Sequence, residues 1–299
     1  MIVKLKADLK SYLWGGENLK KLYNKQSESG VISESWELSF HPDGPSIIAS
    51  GQHFGKPLYK VAKRSDWGNN CQNFIHFPVL NKLIDSAKPL SVQVHPSDDF
   101  AKKHEGGFGK TEMWHILSAQ KGAYIYLGLK QNLSKNDFYS VINDGAICNC
   151  LNRIPVKAGQ TYFIPSGTMH AIGAGITLFE VQQNSSITYR IFDYNRKDAL
   201  GSLRPLHINK AIRAVNLQKF TPPKAFYGEL LGKCKYFSAY LFSGQKTVGM
   251  ENSFVSITVI DGDILLGQLR LCKGETAFLS AGESANILGD GKYIATCVE

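Results

Sequence analysis

Short runs of apolar or alternating residues, bounded by Gly, Pro, Asn or Asp, constrain this chain more than any other feature. They lie at residues 91–95, 113–117, 124–127, 162–165, 177–181, 256–260 and 277–279. Runs of this length, with period-two alternation and turn residues at their ends, form strands. The sequence therefore predicts a mostly β fold. Helical signals are few: Ser134 can cap a turn carrying Asp137, Phe138, Val141 and Ile142, and residues 208–215 form a second candidate. Both read as insertions beside a β core. The stretch 217–224, with Pro222 and Pro223 adjacent, cannot continue a helix and is expected to link two halves, 1–220 and 221–299. An internal echo agrees. Gly159, Pro165, Gly167 and His170 recur in spacing as Gly274, Ser280, Gly282 and Ala285, the second copy having lost the proline and the histidine.

Composition narrows the class. With 43% hydrophobic and 20% charged residues, 299 positions suffice for a packed, enzyme-like body. The first ten residues alternate apolar and charged and lack the apolar core of a signal peptide, and no later run is long enough to span a bilayer. A cytoplasmic protein without membrane partners is expected. Six scattered cysteines, of which only Cys148 and Cys150 lie close, match neither redox nor zinc-ribbon spacing and read as reduced structural thiols. The net charge of +9 comes from dispersed lysines such as Lys20, Lys60, Lys102 and Lys157, with no basic stripe interleaved with aromatics. Nucleic acid is therefore not an expected partner.

The chemistry concentrates in the first half. In Ser91-Val92-Gln93-Val94-His95, period two puts Ser91, Gln93 and His95 on one face and the valines on the other. In Lys110-Thr111-Glu112-Met113-Trp114-His115, the same rule groups Lys110, Glu112 and Trp114 and sends His115 to the opposite side. Residues 159–170 then read as a glycine turn, a strand and the tight turn Pro165-Ser166-Gly167, presenting His170 at the start of a strand. Two imidazoles, one carboxylate and an amide oxygen make a borderline nitrogen and oxygen set, suited to Zn²⁺ and other first-row divalent ions. Further on, Arg190 shares a face with Thr188 and Phe192. Beside a metal, an arginine can orient a phosphate or neutralise developing enediolate charge; its ordinary alternative is an ion pair with Asp193 or Glu180. For Lys82 and Lys110 the ordinary alternative is the solvated surface.

Six ordered blocks carry a resemblance over nearly the whole chain: Leu13-Trp14-Gly15-Gly16, Ser33-Glu34-Ser35-Trp36-Glu37-Leu38-Ser39, residues 80–96, Gly109-Lys110-Thr111-Glu112, residues 164–173 and residues 182–196. The chain resembles the short bacterial form of class I mannose-6-phosphate isomerase, a two-cupin family. The resemblance implies two jelly-roll-like β-barrels, and an enzyme that moves a proton between C1 and C2 of a phosphosugar through a cis-enediol. It implies one Zn²⁺ on Gln93, His95, Glu112 and His170, a catalytic Arg190, and substrate contacts from Lys82, Lys110 and Trp14. It assigns no general base. Ala285 stands where His170 would recur and no histidine follows His207, so the second half is expected to be metal-free. A monomer or homodimer acting on a small phosphosugar is expected. The rivals are another cupin phosphosugar isomerase and a non-catalytic sugar-phosphate sensor.

Overall fold

The structure, a computed structural model, describes residues 1–28, 30–197, 201–223 and 227–299. Four antiparallel sheets are stacked in layers. In the first half, a six-stranded sheet runs in the order Thr161–Ile164, Glu112–Ala119, Ile176–Gln183, Val79–Ser86, Glu34–Leu38, Asp8–Lys10. It faces a five-stranded sheet ordered Tyr189–Phe192, Val92–Val94, His170–Ile172, Tyr124–Leu129, Leu151–Pro155. All seven runs read as strands overlap strands, with Ser91, His95 and Pro165 just outside theirs, and the mostly β class holds. Among the described residues the sheets do not close into barrels. Their edge strands, Asp8–Lys10 and Thr161–Ile164 in one sheet and Tyr189–Phe192 and Leu151–Pro155 in the other, are short and each pairs on one side only.

The inner strands Val79–Ser86 and Ile176–Gln183 are buried along their full length. The reason is layering. On one side the six-stranded sheet packs Ile84, Trp114, Ile116 and Leu178 against Ile125, Leu127 and Ile172 of its partner. On the other side Leu83, Met113, Phe179 and Val181 meet Phe237, Phe254 and Phe278 of the second half. Full burial of one such aromatic side chain contributes about 3 kcal/mol, so the two halves share a core. The second half adds a seven-stranded and a four-stranded sheet, the seven-stranded one ending on Thr276–Leu279, Ile2–Lys6 and Ile47–Ile48. Val3 pairs with Phe278 and Leu5 with Thr276, so the first strand of the chain belongs to the sheet of the last strands. The division expected near residue 220 is thus crossed in space by residues 2–6 and 47–48.

Of the expected linker 217–224, residue 224 lies outside the described residues. The part before it is pinned to the first half: Phe220 N–H donates to Leu129 O at 2.9 Å, and the Asn152 side chain donates to Phe220 O at 2.9 Å. The helix at Lys135–Asn143 begins with a reciprocal capping box between Ser134 and Asp137, and Ile208–Ala214 forms the second expected helix. Both cover the outer face of the five-stranded sheet. The internal echo is structural as well. Gly159 and Gly167 have φ of 86° and 81°, and Gly274 and Gly282 have φ of 86° and 79°, so both copies make the same pair of left-handed turns.

Candidate active site

Strand register assembles the site. Across the five-stranded sheet, Gln93 pairs with Arg190 on one side and His170 on the other, so these three side chains share a face. Across the six-stranded sheet, Trp114 pairs with Glu180, Glu180 with Lys82 and Lys82 with Trp36. The two rows face each other between the sheets. His95 follows the strand Val92–Val94, and Glu112 opens the strand Glu112–Ala119. Lys110 N–H donates to Pro96 O, which holds the two segments together. Gly109 permits that approach, since a Cβ there would stand 2.5 Å from the Asp98 nitrogen.

His95, Glu112 and His170 are all buried, and each offers a ligand atom within 4.8 Å of the others. His95 Nε2 lies 3.4 Å and His170 Nε2 3.3 Å from the Glu112 carboxylate. Each imidazole is tied from behind: His95 Nδ1 lies 3.0 Å from Ile187 O and His170 Nδ1 2.9 Å from Thr168 O. With Nδ1–H donating to a carbonyl, Nε2 carries a bare lone pair aimed at the cluster, the arrangement that orients metal-ligating histidines. Burial lowers the pKa of both rings, that of His95 to about 3 with Lys110 adding to the effect. They are therefore neutral at neutral pH. For Glu112, burial opposes ionisation, but the Lys110 ammonium outweighs it and holds the carboxyl well below its usual range. Neither Glu112 oxygen accepts a well-directed hydrogen bond, although Lys110 Nζ lies 2.9 Å away. A buried carboxylate without directed donors, between two neutral imidazoles, fits a divalent cation. Gln93 brings its amide to 3.3 Å from His170 Nε2.

A cavity of about 310 Å³ opens beside this cluster, lined by Gln93, Lys110, Lys82, Glu180, Arg190 and Trp14 among others. Trp14, Lys82 and Lys110 are buried, unlike ordinary surface lysines in the latter two cases. Lys82 Nζ lies 3.2 Å from Glu34 and 3.4 Å from Glu180. Burial would lower its pKa, but these two carboxylates outweigh it and raise it. Arg190 makes no ion pair with Asp193 or Glu180. Its Nη1 donates to Pro205 O at 2.8 Å, and its Nε has no hydrogen-bond partner among the described residues. His115 faces away, as its phase predicts, with Nδ1 2.9 Å from Thr161 Oγ1.

Two groups at the cavity went unassigned in the sequence. Glu180 accepts from Trp114 Nε1 at 2.9 Å and is raised in pKa by burial and then by Glu112. Its signal is a carboxylate in the middle of the otherwise uncharged strand Ile176–Gln183. Arg204, on the cavity rim, had no local signal.

The same chain matches the family described as phosphomannose isomerase type I, catalytic domain, over residues 2–121. It is 36% identical to a mannose-6-phosphate isomerase of Streptococcus mutans, across 98% of this chain and 96% of that one. The chain belongs to the type I phosphomannose isomerase family. A mannose-6-phosphate isomerase of Bacillus subtilis is also 36% identical, over 85% of this chain and 84% of the relative. A crystal structure of the mannose 6-phosphate isomerase from Bacillus subtilis superposes with a TM-score of 0.89 at 33% identity, covering 99% of each chain. A phosphomannose isomerase variant from Salmonella typhimurium shares the fold at a TM-score of 0.77 and 17% identity, over 100% of this chain and 99% of that one. As a member of this phosphomannose isomerase family the chain is a metal-dependent aldose–ketose isomerase. Among the described residues no helix is long and apolar enough to cross a membrane.

Proposed function

We propose that this isomerase interconverts mannose 6-phosphate and fructose 6-phosphate, using one Zn²⁺ held by His95, Glu112, His170 and Gln93. The observation that carries the reading is the buried His95, Glu112 and His170 cluster, beside a cavity lined by Gln93, Lys110, Lys82, Glu180 and Arg190. When bound, such an ion supplies Lewis acidity toward the carbonyl and hydroxyl oxygens of the sugar. The protein does the rest. Arg190, with no carboxylate of its own, balances anionic charge on the substrate. Glu180, a carboxyl of raised pKa on the cavity wall, takes the proton from C2 of the aldose and returns it to C1, passing through a cis-enediol. Lys82 stays cationic between Glu34 and Glu180 and steadies the charge that this transfer creates. Trp14, Ile84, Leu90 and Ile172 line the cavity with apolar surface that keeps water from the reacting carbons.

The test is a coupled assay of mannose 6-phosphate conversion before chelation, after chelation and after return of Zn²⁺. Turnover that disappears and returns supports the reading. A folded, zinc-loaded chain that turns over other phosphosugars but not this one refutes the substrate.

A further inference from the structure

Arg190 is not the only guanidinium at the cavity, and the way the second is held gives it a role. Asp193, 5% exposed, follows the strand Tyr189–Phe192. Its Oδ2 accepts from Arg204 Nε at 2.7 Å and its Oδ1 from Arg204 Nη2 at 2.6 Å, a bidentate pair. Its Oδ1 also meets Arg196. Arg196 is brought back across Asp193 by a turn in which Tyr194 and Asn195 have φ of 55° and 53°, closed by Arg196 N–H to Asp193 O at 3.1 Å. Two successive positive-φ residues make a hairpin-type turn, and a tyrosine there is uncommon. From Arg204 the chain runs beside Arg190: Pro205 O accepts its Nη1, while His207 N–H donates to Arg190 O at 2.7 Å and His207 Nδ1 accepts the Arg190 N–H at 3.1 Å. Arg190 and Arg204 line the same cavity. Among the described residues, Arg196 and Arg204 share the one carboxylate of Asp193, and Arg190 beside them has none, which leaves an excess of positive charge at this rim. Arg204 commits Nε and Nη2 to Asp193, and among the described residues Arg190 Nε is without a partner.

We propose that Arg204 contacts the substrate phosphate, completing with Arg190 a two-guanidinium subsite, and that Asp193 is the positioning residue that holds Arg204 and the segment orienting Arg190. This inference rests on the phosphosugar isomerase reading. The excess charge suits a dianionic phosphate, and Gln93 and Lys110, which touch His170 and His95, line the same cavity as this rim, so a sugar phosphate in it lies beside both.

The experiment uses the zinc-loaded enzyme and its Arg204→Ala, Arg204→Lys and Asp193→Asn variants. It measures kcat, KM for mannose 6-phosphate and competitive inhibition by inorganic phosphate. Arg204→Ala raises KM and the phosphate inhibition constant about tenfold or more, with kcat within about threefold, because a charge-assisted contact to the ground-state phosphate is lost. Arg204→Lys falls between the two. Asp193→Asn moves the same two constants in the same direction at unchanged kcat per bound zinc; a merely structural role would lower the active fraction and leave KM alone. Turnover with KM and phosphate inhibition unchanged in Arg204→Ala overturns this inference alone. No turnover by the unaltered chain overturns the isomerase reading and this inference with it.

Discussion

The histidine that faces away from the cavity offers a sharp quantitative test of the strand phase. His115 is 3% exposed, and burial lowers its pKa from 6.5 to about 4. Between those values the unfolded chain binds a proton that the folded chain refuses. Stability therefore rises with pH through this window, is full above about pH 6.5, and is lost as pH falls toward 4. One proton is worth about 1.4 kcal/mol per pH unit, so a depression of about 2.5 units amounts to about 3 kcal/mol. His95 and His170 pull the same way in metal-free protein, so the isolating control is His115→Asn, whose amide replaces Nδ1 beside Thr161 and does not titrate. The smaller side chain leaves a void whose cost does not change with pH. Urea denaturation of both proteins in chelator, from pH 7 to pH 4, should show the stability difference changing by about 3 kcal/mol, the wild type losing more on acidification. Zinc uptake at pH 7 should be the same for both. Parallel stability profiles would refute the burial argument, and lost zinc uptake would place His115 at the site after all.

His170→Ala should abolish zinc binding and turnover together, whereas Arg190→Ala should keep its zinc and lose about 10²-fold or more in kcat/KM; metal analysis beside kinetics checks both, and normal turnover by the arginine variant would end its catalytic assignment. Glu180→Gln should keep full zinc occupancy while kcat drops about 10²- to 10⁴-fold, and an unchanged kcat would move the proton transfer to another group. Ser134→Ala removes one half of the capping box at Lys135–Asn143 and should cost about 1 kcal/mol in denaturation without altering KM.

Alternation alone placed Gln93 and His95 together, set Glu112 and Trp114 on the inner face and turned His115 outward, because a side chain's face in a strand depends only on its phase. The Ser134 cap was legible for a similar reason: its reciprocal partner Asp137 is three residues away. What stayed hidden depends on distant parts of the chain. Lys82 is buried because Glu34 and Glu180 arrive from other strands, and Lys110 because His95 closes over it beside the neighbouring Glu112, whereas composition assigns lysines to the surface. Arg204 reaches the cavity through Asp193, which no periodicity reports. The pairing of Val3 with Phe278 joins the two ends of the sequence, and nothing local announces it.

That pairing has a consequence for how the protein is made. The strand Ile2–Lys6 is synthesised well before its partner Thr276–Leu279. At about 5–20 residues per second it waits for tens of seconds, its apolar Ile2, Val3 and Leu5 exposed to other chains in the meantime. The first half can bring His95, Glu112 and His170 into register before then, but the face of its six-stranded sheet that carries Met113, Phe179 and Val181 stays uncovered until Phe237, Phe254 and Phe278 follow. Nascent chains of this protein should therefore be most vulnerable to aggregation while residues 221–299 are still emerging, when the half that carries the candidate site is already built.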